Sequence, residues 1–244
     1  MFKHIGKVRT ASHNLKIASL LSFVAGIVNI TGFLSVQTLT TNVTGHFAFF
    51  IDDIFKLHFV GAFIFFLYIF FFLVGSFISN LLVEVMARKN EEYMYTFPAL
   101  LEILILFTIA IFGEKFKLQY PDVIAFSLLF SMGLQNSLVT RISNAVVRTT
   151  HLTGIFTDLG IDLSQLFFYK TNEQKAKLFS SIKLRIRIIN CFFVGGFVGG
   201  IFYSTLQLNV LLIACTVLVI GLIYDTLKAA IILMKQKLIT KNVC

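Results

Sequence analysis

The sequence predicts an all-α polytopic membrane protein with six full transmembrane helices and two short broken or re-entrant helical segments, built from two homologous halves. Three observations predict it: an apolar composition, six long apolar runs, and a polar motif that occurs twice. Of 244 residues, 57% are hydrophobic, 14% are charged and 29 are Phe. That is more apolar surface than a water-soluble domain can hide.

A spanning helix needs about 20 mostly apolar residues. Six runs qualify: Ala18 to Val36, Phe59 to Met86, Phe97 to Phe112, Val123 to Val139, Ile188 to Leu206 and Asn209 to Leu227. Two further segments, Gly45 to Phe55 and Gly154 to Tyr169, are helix-like but short, and they carry Asp52, Asp53, Asp158 and Asp162. An unpaired carboxylate at the bilayer centre costs about 2.5–3.5 kcal/mol on insertion scales, so these segments are expected to line protein or water rather than lipid.

The net charge of +9 forms no continuous basic face with interleaved aromatics, so a nucleic-acid partner is not expected. The basic residues instead flank apolar runs, where they favour the cytoplasmic side. Lys3, Lys7, Arg9 and Lys16 place one terminus inside, and Lys228, Lys235, Lys237 and Lys241 place the other. A basic loop over 170–187 carries Lys170, Lys175, Lys177, Lys183, Arg185 and Arg187. If the short segments do not cross, 18 basic residues lie inside and three (Lys56, Lys115, Lys117) outside; if both cross, the division is 17 to four. Charge alone leaves six and eight crossings open.

Cys191, Cys215 and Cys244 are an odd number at wide spacing, which suggests neither disulfides nor zinc; they are read as packing residues and a C-terminal residue. No metal or cofactor motif is present, and no nucleotide-binding motif argues for direct ATP-driven transport. The basic N-terminus precedes no small-residue cleavage pattern, so residues 1–244 are taken as one mature membrane domain. The expected partners are the lipid bilayer and an unidentified small solute; a homo-oligomer is compatible with the sequence and not required by it.

The stretch TTHLTG (Thr149 to Gly154) repeats TTNVTG (Thr40 to Gly45) at an offset of 109. Gly26-Ile-Val-Asn29 falls on Gly133-Leu-Gln-Asn136 at 107, and Phe72 to Ser79 (FLVGSFIS) resembles Phe192 to Gly199 (FFVGGFVG) at 120. The order of features is the same, which gives repeats over 18–113 and 122–232. Six crossings would invert one half relative to the other, an arrangement that recurs in secondary transporters whose broken helices meet near the midplane.

Gly-x-x-Asn followed by Gly-Phe-Leu and a Thr-Gly turn, then MGLQN and VRTTHLTGIFTDLGIDL, resembles the YoaK family of bacterial multi-helix membrane proteins over roughly residues 18–230. The resemblance implies a six- or seven-helix protein of the bacterial inner (cytoplasmic) membrane. The family is a domain of unknown function, so no substrate is implied. Family members often read Thr-Gly-Asn where this chain has Thr44, Gly45 and His46.

Thr44 and Thr153 are expected as helix N-caps, with Gly45 and Gly154 allowing close backbone approach. Free N–H groups at two such helix starts would suit an anion or carboxylate, and Thr40, Thr41, Thr149 and Thr150 add hydroxyls. The bland alternative is a pair of ordinary caps in loops. Asn29, Gln135 and Asn136 sit in apolar helices, either as interhelical glue or as a polar pocket beside the turns. The expected substrate-binding set is therefore Asn29, Thr41, Thr44, Gly45, Gln135, Asn136, Thr150, Thr153 and Gly154.

Asp158 and Asp162 share one helix face, which lies at the headgroup surface, pairs with Arg141 or Arg148, or forms an ion or proton path together with His151. His46 and His151 are alternatively solvated loop residues. Glu102 is read as a first-turn residue after Pro98 that complements the helix dipole. Gly195, Gly196, Gly199 and Gly200, matched by Gly75 and Ser79, are read as helix-packing residues.

The favoured function is a secondary transporter or channel for a small polar or anionic solute, with the two turns facing each other at mid-depth. A scaffold would leave no cavity between them. A lipid-acting membrane enzyme is disfavoured, because no Gly-x-Ser-x-Gly elbow or His-Glu-x-x-His pair occurs.

Overall fold

The computed structural model describes residues 11–169 and 171–224. The fold is all-helical: α1 (Ala11–Val36), α2 (Val43–Phe55), α3 (Phe59–Lys89), α4 (Thr96–Phe116), α5 (Pro121–Ser143), α6 (Leu152–Gln165) and α7 (Asn172–Leu206). After a 3-10 turn at Gln207–Val210 the chain is helical again over 211–224, here called α8. Among the described residues, five stretches are long and apolar enough to cross a membrane: α1, α3, α4, α5 and the continuous Asn172–Tyr224. The last stretch is broken where Gln207 takes a positive φ of 51°, which turns the chain back on itself. Lys117, from the α4–α5 connection, donates to the Gln207 side chain at 3.2 Å.

Named contacts fix the direction of each helix. The Gln135 amide of α5 donates to the Leu21 carbonyl of α1, whereas Leu128 packs at Gly32, so α1 and α5 are antiparallel. Tyr68 hydrogen-bonds Asp122 at one end of the α3–α5 contact, and Glu84 pairs with Arg141 at the other, so α3 and α5 are parallel. It follows that α1 and α3 run in opposite directions. The α4–α5 turn makes those two antiparallel, with Gly113 beside Ile124. Cys215 reaches the Ile103 carbonyl, while Leu208 packs at Gly113, so α8 runs against α4.

Two crossings organise the interior. On α1 a Cβ at Gly26 would collide with the Phe192 carbonyl of α7, and one at Gly195 of α7 would collide with the Phe23 carbonyl. On the other side Gly133 of α5 meets the Phe72 carbonyl of α3, and Gly75 meets the Phe130 carbonyl. Each contact sets a glycine against the carbonyl three residues before the partner's glycine, so the backbones pack directly and each crossing is reciprocal. Such close approach needs residues without a Cβ, and it brings Cα–H groups onto carbonyl oxygens. Ser76 adds a hydrogen bond to the Gly133 carbonyl at 3.1 Å.

Local chemistry sets the helix ends. Asn42 starts α2 by accepting from the Gly45 N–H, Pro121 and Asp122 open α5, and Thr171 caps α7 by accepting from the Gln174 N–H. The stretch expected as a basic loop over 170–187 is helical from Asn172. Besides the Thr171 cap, a Glu173–Lys177 ion pair and the buried Leu178 and Ile182 hold it. Glu102 is likewise not a first-turn residue. α4 begins at Thr96, two residues before Pro98, which puts Glu102 in the second turn, fully buried and with no hydrogen-bond partner for either oxygen. Lys3, Lys7, Arg9, Lys170, Lys228, Lys235, Lys237, Lys241, Cys244 and positions 225–232 of the expected second repeat lie outside the described residues.

The crossings predict a sharp contrast among glycine substitutions. Gly26→Val and Gly133→Val should each lower stability by about 3 kcal/mol or more. Gly160→Ala, with open space around the added methyl, should change it by less than about 0.5 kcal/mol. Thermal unfolding of the detergent-purified chain measures all three.

Candidate functional site: a cavity between the two Thr-Gly turns

The chain leaving α1 turns back so that Thr41 reaches Asn29, inside the helix it has just left. The Thr41 N–H and hydroxyl both donate to Asn29 Oδ1, at 3.2 and 2.9 Å. After α5 the same thing happens: the Thr150 hydroxyl donates to Asn136 Oδ1 at 2.5 Å. In each case an asparagine in an apolar helix pins the following polar turn back against that helix. Both asparagines and both turns open onto one cavity of about 930 Å³, walled on the sides by Phe72 of α3 and Phe192 of α7.

Seven of the nine expected binding residues line this cavity: Asn29, Thr41, Thr44, Gly45, Asn136, Thr150 and Thr153. Gln135 does not line it. That side chain is fully buried, donating to the Leu21 carbonyl at 3.0 Å and to Thr149 at 3.4 Å, and so acts as glue between α1, α5 and the second turn. Gly154 is also absent from the lining. Thr40 and Thr149 are fully buried behind the turns rather than facing the cavity.

The caps differ from expectation. Thr44 and Thr153 already lie inside α2 and α6, and the N-caps are Asn42 and His151, two residues earlier. The helix begins there because the first intrahelical bonds run from the His46 N–H to the Asn42 carbonyl and from the Ile155 N–H to the His151 carbonyl. The repeated glycines then have a plain role. A Cβ at Gly45 would strike the Asn42 amide, and one at Gly154 the His151 ring, so glycine leaves room over the first turn for the side chain of the N-cap residue, which in α2 but not in α6 makes a capping hydrogen bond.

His46 is buried, with Nε2 2.9 Å from the Leu39 carbonyl and its ring edge-on to Tyr68, so it braces the first turn from behind. His151 is exposed at the cavity.

Residues 17–224 match the family described as "Protein of unknown function (DUF1275)". The chain belongs to this family. It is also similar to the UPF0700 transmembrane protein YoaK of Bacillus subtilis (strain 168), 28% identical over 189 residues that cover 77% of this chain and 83% of the relative. The motifs that carried the YoaK resemblance therefore named the right family. No solved structure matches the chain.

In this DUF1275 chain the acidic face of α6 is paired, but not with the expected arginines. Arg185 of α7 engages both Asp162 and Asp158, the latter at 3.5 Å, and also contacts Ser181. Arg141 is occupied by Glu84 at 2.5 Å. The helical extension of α7 below residue 188 is what brings Arg185 alongside α6, and a loop there would not have done so. Asp52 at the far end of α2 is exposed and paired with Lys56, whose pKa it raises by accepting its hydrogen bond.

Three polar lining residues were not expected at a binding site from the sequence: Asn42, Arg148 and Thr140. For Arg148 the sequence held only its place immediately before the second Thr-Thr turn.

Arg185→Gln strands the nearly buried Asp162, and should destabilise the protein by about 2–3 kcal/mol. Asp158→Asn, on a half-exposed side chain, should cost less than about 1 kcal/mol. Thermal unfolding of the two variants distinguishes them.

Proposed function

We propose that this protein is a secondary transporter or channel of the bacterial inner membrane that passes a small polar or anionic solute through the central cavity. The observation that carries the proposal is the cavity itself. It is lined from both sides by paired polar groups, Asn29 with Thr41 and Asn136 with Thr150, where a scaffold would close the space with side chains.

Six crossings fit the helix directions. Had α2 crossed the membrane, α1 and α3 would be parallel, and they run in opposite directions. Asn172–Tyr224 is 53 residues, about 80 Å of helix, far more than one crossing of a core about 30 Å thick, and the break at Gln207 supplies the return. The chain then reads up, dip, down, up in one half and down, dip, up, down in the other, which is an inverted repeat. The repeat offsets support it: Phe23 and Gly26 correspond to Phe130 and Gly133 at 107, and Phe72 and Gly75 to Phe192 and Gly195 at 120. The two dips enter from opposite faces, and both termini fall on the cytoplasmic side by the distribution of basic residues.

Asn29 and Asn136 each stand seven residues from the far end of their helix, about 10 Å in, so the cavity straddles the midplane. Inverted repeats with broken segments meeting there are the architecture of many secondary transporters.

Topology is checked with single cysteines in a background lacking Cys191, Cys215 and Cys244. Glu91→Cys should react with an impermeant reagent from the same side as Asn172→Cys, and Gln119→Cys from the opposite side. Glu91→Cys and Gln119→Cys both reacting from the wrong sides would mean that the short helices cross.

Function is checked in proteoliposomes holding the full chain, by flux of a panel of small anions and neutral polar solutes. An Asn29→Ala/Asn136→Ala double variant should lose at least about tenfold of any flux seen, since each Asn holds a turn through side-chain hydrogen bonds worth about 1 kcal/mol or more. Flux that is indifferent to this change would contradict the assignment of the cavity as the path.

A further inference from the structure

Most of the cavity lining comes in matched pairs. At the offset of 109 Val43 and Thr44 correspond to Leu152 and Thr153, and at 120 Phe72 corresponds to Phe192. One pair breaks the pattern in charge: Leu39 corresponds to Arg148. No Asp or Glu lines the cavity, and Arg148 is the single Lys or Arg among the described residues that do.

Arg148 is exposed and forms no ion pair among the described residues. It borders a second recess of about 400 Å³ that contains Asp158, but Asp158 and Asp162 are held by Arg185. Glu84, the other nearby acid, is held by Arg141.

Two further features fall on the same side of the cavity. Asn136 Nδ2 is out of contact with solvent and has no acceptor, beside the Thr150 hydroxyl that occupies the Oδ1 of the same side chain. The first turn of α2 is closed by the Asn42 side chain, whereas His151 gives the first turn of α6 no side-chain cap. The second-half side thus carries a positive charge and a helix start without a side-chain cap, and the first-half side carries Leu39 and a filled cap.

Even on an exposed side chain, a guanidinium facing a cavity lined by no acid among the described residues draws anions toward it, and its planar fork matches an oxyanion group. We infer, resting on the transport reading above, that the central cavity is anion-selective, that Arg148 is the residue that makes it so, and that the solute is a small monoanion whose oxyanion group binds on the Arg148 side. One guanidinium, with no acid among the described lining residues, fits one anionic group.

The test uses charged thiol reagents as probes, so the solute need not be known. Thr44→Cys is placed in the background lacking Cys191, Cys215 and Cys244, and the full chain is reconstituted in liposomes. Rates of modification by an anionic (sulfonatoethyl) and a cationic (trimethylammonium-ethyl) methanethiosulfonate are each divided by the rate with free 2-mercaptoethanol. The normalised ratio should favour the anionic reagent by about tenfold, the size of a local-concentration effect in a singly charged cleft. Arg148→Gln should bring the ratio close to one and Arg148→Lys should keep most of it. Arg148→Met serves as the charge-removing variant if Arg148→Gln does not fold.

A ratio near one in the Thr44→Cys parent, or a preference that survives removal of the Arg148 charge, overturns the anion inference and leaves the open cavity standing. If neither reagent reaches the thiol of the Thr44→Cys variant, the water-filled cavity is overturned and the transport reading with it.

Discussion

Everything else in this protein depends on two places where helix backbones touch. Apolar side chains give helices no reason to associate in lipid, because the lipid tails are equally apolar; close packing and hydrogen bonds must supply it. Here Gly26 and Gly195 join α1 to α7, and Gly75 and Gly133 join α3 to α5, each glycine seated against a carbonyl of the opposite helix. These are the same contact made twice. In each, the helix that precedes one Thr-Gly turn grips the glycine-rich helix that follows the other turn.

The polar cavity follows from that exchange. With α1 and α5 held apart from their own following helices, the chain between them must turn back, and its backbone groups need partners away from water. Asn29 meets that need for the Thr41 N–H, and Asn136 holds the second turn through the Thr150 hydroxyl. Charge is dealt with by equally local pairing: Arg185 takes both acids of α6, Arg141 takes Glu84, and Tyr68 takes Asp122. Arg148 and Glu102 have no such ion pair among the described residues. The first faces the cavity and the second is sealed between helices, fully buried and without a hydrogen bond.

The sequence made the helices legible because their signal is long and local. It also pointed to Asn29 and Asn136 as polar groups beside the two Thr-Gly turns, and each is hydrogen-bonded to its turn. What it hid was set by distance in space. Thr44 looked like a cap because Thr before Gly is a common start signal, yet the first intrahelical bonds place the caps two residues earlier, at Asn42 and His151. Residues 170–187 looked like a loop because they are charged, and the stripe of Leu178 and Ile182 that packs them was too sparse to outweigh that. Gln135 was indistinguishable from Asn136 in sequence; a rotation of about 100° along the helix separates one that bonds the neighbouring backbone from one that lines the cavity.

The exchange of helices between the two expected repeats is tested most directly by disulfide trapping in native membranes. A methyl added at Gly200 of α7 would lie 3.7 Å from the Ile30 side chain of α1. In a background lacking Cys191, Cys215 and Cys244, the Ile30→Cys/Gly200→Cys chain should form an intramolecular disulfide rapidly on mild oxidation, and Ile30→Cys/Ser79→Cys, which pairs α1 with the glycine-rich helix of its own repeat, should not. Rapid closure of the second pair and none of the first would mean that each repeat packs on itself, and the cavity between the turns would lose its structural basis.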